Sequence, residues 1–522
     1  MGFLDGLFGR RPRRPDPRQS LETIFAFIQA ETWAESRRIV EAHPELLSDE
    51  ADGLLGQLIA AAREQGEGDA VRLLEEHRAL LRRCREVGVE AAFSEIGGGF
   101  SVPSRFRNDW KRAQEGERRY LQTGDLAALN EAVAAWERIL NHPAFAQADE
   151  RFRLAAWNDA GGAYFRRFEA TGNLRDLDTA SALWQRAIAH TPEGSPDWAS
   201  MQANLGVALR TRFEALGEVA DLDGAIEAYH KALSVAREGS PDWARWQANL
   251  GNALSTRFEA LGEVADLDAA IEAYHKALSV AREGSPDWAM YQNNLGLALR
   301  TRFEALGEVA DLDAAIEAYH KALSVAREGS PDWASRQANL GGALLRRFEA
   351  LGEVADLDAA IAAFQKVLES LPPDHPIRSR VLYRLGRAYA RSGRWDRAVD
   401  VLEQAREAFT HLKDRPRLAR ALLELGQLYG QMRDLEMADI CLRDALRLFR
   451  RLGDEEGAAM ALEALGNLAL QSARFPEAVK ALREARSRYE ILGQQDRVRV
   501  VDDLLHMADR VPEATEEAGE KL

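Results

Sequence analysis

A chain of 522 residues with 46% hydrophobic and 29% charged side chains can bury an extensive core, and its formal charge of -16 makes it an acidic protein. With 68 basic against 84 acidic side chains it lacks the concentrated basic face that wholesale nucleic-acid binding needs. Its two cysteines, Cys84 and Cys441, lie far apart, which excludes a disulfide framework and a cysteine-based metal cluster and fits a reducing, cytoplasmic setting.

Residues 1–19 read as a disordered basic and apolar tail: Phe3, Leu4, Leu7 and Phe8 are followed by Arg10, Arg11, Arg13, Arg14 and Arg18. Such a tail has a weak capacity for membrane-surface contact through residues 3–18, although Gly6 and Gly9 weaken any helix there. No apolar run approaches the roughly 20 residues of a membrane span, and no signal-peptide pattern opens the chain. Residues 20–93 carry helical apolar stripes, such as Leu54, Leu55, Leu58, Ile59 and Ala62, and form an N-terminal helical segment. Residues 94–105, with Gly97, Gly98, Gly99 and Pro103, are a linker.

A strict period begins beyond the linker. One glycine recurs at Gly116, Gly161, Gly206, Gly251, Gly296, Gly341 and Gly386, each 45 residues after the last, and then at Gly426 and Gly466 after 40. Residues 256–289 and 301–334 are identical, and 211–244 differs from them only by Gly224. A period of this size with helical signals marks stacked helix pairs. The expected division is 106–375 for the long repeats, 376–495 for the shorter ones, 496–511 for a capping helix and 512–522 for an acidic tail. Within a long repeat, Ser240, Pro241 and Asp242 suit a helix start, and Gly262 suits its end. Asp266 is expected to cap the second helix.

The spacing Leu382, Leu385, Gly386, Tyr389, Ala398, Leu402 and Ala405 resembles the tetratricopeptide consensus, and Leu422, Leu425, Gly426, Tyr429, Ala438, Leu442 and Ala445 repeat it. In the long repeats glycine to alanine spans 19 residues rather than 12, as from Gly251 to Ala270, so the first helix is expected to gain about two turns. This resemblance implies an all-α, right-handed α-solenoid of helix hairpins. The long units, as at Asn249 to Ile271, are also similar to repeats that precede caspase-like CHAT domains in bacteria. No such module follows Gly466 in this sequence, so no catalytic His and Cys pair carries over. What the likeness implies is a recognition arm, with a regulatory partner of a separately encoded CHAT protease or defence-type effector as the alternative role.

Candidate contact residues follow from comparing repeats within the chain. Between 243–287 and 288–332 the changes are Arg245 to Met290, Trp246 to Tyr291, Ala248 to Asn293, Asn252 to Leu297 and Ser255 to Arg300. At 100° per residue, positions 245, 248, 252 and 255 share one face of the first helix, opposite Trp243, Leu250, Leu254 and Phe258. In stacked hairpins that face lines the concave groove, where Val207 and Arg210 hold equivalent places. Divergence driven by a ligand is one account; drift, or gene conversion over one tract, is the other. Asn204, Asn249, Asn294 and Asn339 form a ladder two residues before each landmark glycine. A row of amides suits a guest peptide backbone, and bonding to a neighbouring helix terminus explains it equally well. Arg210 and Arg300 suit a partner carboxylate.

His230, His275 and His320 recur once per repeat, but helix pairs about 10 Å apart cannot share a metal ion. No phosphate-binding glycine loop occurs. The sequence therefore points to a non-enzymatic interaction scaffold without cofactor or metal, which holds a peptide or protein segment in its groove.

Overall fold

The computed structural model describes residues 17–28, 30, 33–64, 68–89, 92–93, 102–373 and 375–519, and every regular element among them is helical. Expectations about residues 1–16, and about 94–101 of the linker, lie outside the described residues. The chain divides into two compact units, Met1–Leu216 and Gly217–Leu522.

The first unit opens with α1 (Pro17–Ile28), α2 (Trp33–Ala42), α3 (Asp49–Glu64) and α4 (Gly68–Val87). Ile24, Phe27, Val40, Leu55, Leu80 and Cys84 are buried in one core, with Leu54 and Leu58 of the expected stripe packed against it. Asp52 on α3 accepts from Arg78 Nε at 2.9 Å and Arg82 Nε at 2.7 Å on α4. Those two guanidiniums hold its carboxyl far below the ordinary carboxylate range. Helix hairpins follow: α5 (Arg107–Thr123) with α6 (Leu126–Leu140), then α7 (Glu150–Thr171) with α8 (Leu174–His190), then α9 (Pro196–Leu216).

The second unit continues with α10 (Val219–Val235), α11 (Pro241–Leu261), α12 (Val264–Val280), α13 (Pro286–Leu306), α14 (Val309–Leu323), α15 (Pro331–Leu351) and α16 (Val354–Ser370). The shorter repeats are α17 (Pro376–Arg391), α18 (Trp395–His411), α19 (Arg415–Gln431), α20 (Leu435–Leu452), α21 (Glu455–Gln471) and α22 (Phe475–Ile491), before α23 (Gln495–Gly519). The first helices α9, α11, α13 and α15 run 21 residues each, against 16 in α17. Ser240 Oγ accepts from Trp243 N, Pro241 occupies the first turn, and Gly262 closes α11 in the left-handed region at φ 74°, where a Cβ would be strained. Buried Glu463 on α21 accepts from Tyr489 and from Arg497, which ties α23 onto the last hairpin.

Asp266 does not cap α12. Glu263 stands at that position without a side-chain bond, and Asp266 lies buried inside the first turn. There Arg257 holds it with two parallel bonds, of 2.8 and 2.6 Å, and a third bond from Arg257 reaches Asp223 on α10 at 2.8 Å. Arg302 repeats this with Asp311 and Asp268, and Arg347 with Asp356 and Asp313. One arginine per repeat thus joins the two helices of its own hairpin to the second helix of the preceding one. A bidentate guanidinium offsets much of the cost of burying a carboxylate, and the nine-residue spacing recurs in each of these repeats.

Candidate functional site

The landmark glycines bring the helices of each hairpin together. A Cβ at Gly251 would come within 2.8 Å of the Tyr274 ring, and one at Gly296 within 2.9 Å of Tyr319. The aromatic side chain of the second helix therefore crosses beneath the first and delivers its polar end to the face that carries the ladder. In the short repeats a leucine meets the glycine instead, as Leu402 does at Gly386, and no polar group is delivered.

In the second unit that face is a connected amide network. Tyr274 Oη donates to Asn252 Oδ1 at 2.8 Å, and Asn294 Nδ2 donates to the same oxygen at 3.1 Å. Asn293 Nδ2 donates to Asn294 Oδ1 at 3.2 Å, and Asn339 Nδ2 donates to Asn293 Oδ1 at 3.1 Å. Four of the expected contact residues are thereby brought together across α11, α13 and α15, bonded to one another rather than to a helix terminus. Asn249 and Ser255 are half-buried on the same face. Arg245 projects outward and pairs with Asp242, while Met290 and Leu297 are 44% and 38% exposed. In the first unit Asn204 Nδ2 donates to Asn158 Oδ1 at 3.3 Å, Val207 is half-buried beside it, and Arg210 pairs with Glu214.

Charge collects around Gly342. The Nη1 atoms of Arg300 and Arg384 each lie 3.4 Å from where a Cβ on that glycine would stand. Arg300 Nε is buried without a hydrogen-bond partner, and its nearest carboxylate, Glu304, is 4.0 Å away. Arg384 donates to Ala338 O at 3.1 Å. Burial, and the repulsion of Arg300 and Arg380, bring Arg384 down to about 10. Tyr319 Oη, near enough to both guanidiniums to feel their charge, is buried without a partner as well. Arg384 occupies the ladder position of its own repeat, so replacement of Asn by Arg in that column was the signal that sequence comparison passed over.

The first unit holds a recess of about 580 Å³ between α5, α7 and α9, walled by Trp136, Phe165, Trp184 and Val207. Glu117 accepts there from Trp136 Nε1 at 2.9 Å and from Arg166 Nη1 at 2.5 Å, yet burial still raises its carboxyl. Asp159, the ladder residue of its repeat, accepts from Asn158 Nδ2 at 3.1 Å. Burial, reinforced by the charge of Glu117, pushes Asp159 up to about 6. Both cysteines are buried, and burial pushes their thiols up to about 11, far from the reactive range. Among the described residues no group of three or more His, Cys, Asp or Glu could hold a metal ion, and no helix is long and apolar enough to cross a membrane.

A tetratricopeptide repeat family model matches residues 348–411 and 416–491. Those residues carry tetratricopeptide repeats. Among solved structures it is similar to the apo form of RapI, at 12% identity and a TM-score of 0.50, over 74% of this chain and 98% of that one. This is a likeness of fold, an all-α stack of helix hairpins. A Signal Transduction ATPase with Numerous Domains (STAND) protein with a tetratricopeptide repeat sensor, from Pyrococcus horikoshii, matches at 12% identity and a TM-score of 0.49, over 87% of this chain and 74% of that one. No curated protein matches the sequence. The repeats matched at 348–411 and 416–491 are consistent with a scaffold for protein–protein interaction.

Proposed function

We propose that this protein is a non-enzymatic adaptor that holds a segment of a partner polypeptide along the ladder face of its first helices, with a guest carboxylate at Gly342. The observation that carries this reading is the surplus of buried donors there: Arg300 Nε and Tyr319 Oη lack acceptors, and the buried Arg384 stays cationic beside them, brought down only to about 10. Buried donors without acceptors are costly, and an entering carboxylate would relieve several at once. The nearby carboxylates are already engaged, Glu304 by Arg346 and Glu349 by Arg346 and Arg387. Glycine at 342 keeps backbone and guanidiniums open to a guest chain, while Asn252, Asn293, Asn294 and Asn339 supply amides beside it.

Affinity capture with the full chain tests this. Replacing Arg300 and Arg384 by alanine should remove the partners that the parent recovers, and a second variant at Arg245, Asn252, Met290 and Arg300 should do the same, both with unchanged helicity by circular dichroism. Recovery of the same partners by both variants would refute the groove assignment.

A further inference from the structure

Gly162, Val207, Asn252, Leu297 and Gly342 occupy one column of the repeat, next to the landmark glycines, and Trp184, Tyr229, Tyr274, Tyr319 and Phe364 occupy the aromatic column, whose Trp184, Tyr274, Tyr319 and Phe364 pack on Gly161, Gly251, Gly296 and Gly341. At Asn252 the two columns satisfy each other, because the carboxamide oxygen accepts from Tyr274 Oη at 2.8 Å. In the Gly342 repeat the ring is Phe364, packed on Gly341 and without a donor, and Arg300 and Arg384 stand at Gly342. The pairing of Gly162 with Trp184 is different. Trp184 is only 4% exposed, its indole Nε1–H has no hydrogen-bond partner, and it lines the recess in which Gly162 stands. A buried indole N–H ordinarily finds an acceptor, and this one has lost the side chain that the Asn252 repeat provides.

We infer that the recess at Gly162 is a binding site for a primary carboxamide, the side chain of Asn or Gln in a partner polypeptide, whose carbonyl oxygen accepts from Trp184 Nε1 and whose NH2 donates to Asp159. The internal carboxamide of Asn252 shows what the space accommodates. Asp159 Oδ1 is already bonded to Asn158, which leaves its second oxygen for the guest. Asn158 is in turn held by Asn204, so the acceptor is oriented before anything binds. The Glu117 carboxylate is taken by Trp136 and Arg166 and does not compete. Trp136, Phe165 and Val207 give the methylenes of a glutamine apolar walls. A carboxylate in the same place would meet Asp159 and Glu117 with like charge, and an aliphatic side chain would leave the indole N–H unsatisfied, so the site selects amide over acid and hydrocarbon. The proposal rests on the groove reading only in that the guest side chain arrives along the ladder face.

The test is a titration of the full-length protein with N-acetylglutamine N-methylamide, followed through the Trp184 indole N–H resonance, itself identified by its loss in Trp184→Phe. A saturable downfield shift is expected, with the glutamate and leucine analogues at least tenfold weaker. Gly162→Asn would supply the carboxamide from within and should abolish the response. Its Cβ meets only Arg166 Nη1, at 3.3 Å, the flexible end of a side chain that can give way. Asp159→Leu keeps the recess but removes the acceptor, and should weaken the probe about tenfold. No shift at the limit of probe solubility, equal shifts from all three analogues, or an undiminished response in Gly162→Asn or Asp159→Leu would overturn the proposal. The two readings separate cleanly: a glutamine-selective shift in a protein whose captured partners survive the Arg300 and Arg384 substitutions sinks the carboxylate site alone, whereas the reverse result sinks this one alone.

Discussion

The repeat around Tyr274 and the repeat around Trp184 have the same backbone plan, the same close glycine and an aromatic side chain reaching the same face, yet they end in opposite states. Asn252 closes the first, with two donors on its carboxamide oxygen. Gly162 leaves the second open, with a buried N–H lacking an acceptor and a carboxylate at about 6 beside it. The lesson is that in this stack the helices supply a fixed frame, and the side chains they carry decide whether a repeat satisfies its own polar groups or leaves one without a partner.

The largest expected effect breaks the frame common to both. Asp266→Ala strands the half-buried guanidinium of Arg257, leaving it only the exposed Asp223, and should cost about 1–3 kcal/mol in urea unfolding. A loss below about 0.5 kcal/mol would show that the recurring pair is incidental. Next, Gly251→Ala drives a methyl to 2.8 Å from the Tyr274 ring and should cost about 1–3 kcal/mol, with disturbance of the Tyr274 bond to Asn252. Asn252→Ala turns the closed repeat towards the open one. It strips the acceptor from Tyr274 and Asn294 and should cost about 1–2 kcal/mol, whereas a neutral result would mean that water replaces the amide.

A pH experiment sharpens the other side of the comparison. Asp159 titrates in the fold at about 6, above its ordinary 3.8, so the folded state holds the proton more tightly than the unfolded chain. The associated stability is fully present below pH 3.8 and lost as pH rises through 6. Asp159→Asn, which restores the ladder residue, should therefore leave the melting temperature nearly unchanged at pH 4 and raise it by a few degrees, about 2–4 °C, at pH 7. An equal gain at both values would exclude ionisation as the cause. Probe binding should run the opposite way and strengthen above pH 6, because the ionised carboxylate is the better acceptor for the guest NH2, with Glu117, Glu169, Arg118 and Arg166 the charged groups lining the same recess. The smallest effect lies in the short repeats, where Ala473 sits at φ 53°; Ala473→Gly should stabilise by about 0.5–1 kcal/mol.

Much was legible from residues alone. The 45-residue period, the Ser-Pro helix starts, the glycine ends and the lengthened first helix all follow from local chemistry, which neighbours in sequence can express. Helical geometry likewise places positions 245, 248, 252 and 255 on one side of the first helix, whatever surrounds them. Asp266 was misread because a carboxylate near a helix start has two uses, and its choice was made by Arg257, nine residues earlier on another helix. Trp184 and Asp159 escaped notice for a related reason: each looks ordinary in its own repeat and differs only when set beside its counterparts at 274 and 249.

What the sequence determined by itself is thus the periodic helical frame, because caps, turns and apolar spacing act within one or two turns of chain. What only the tertiary structure decided is which polar groups find partners. That outcome depends on atoms from different helices: the Tyr274 hydroxyl finds Asn252, while the Trp184 indole N–H is buried without a partner.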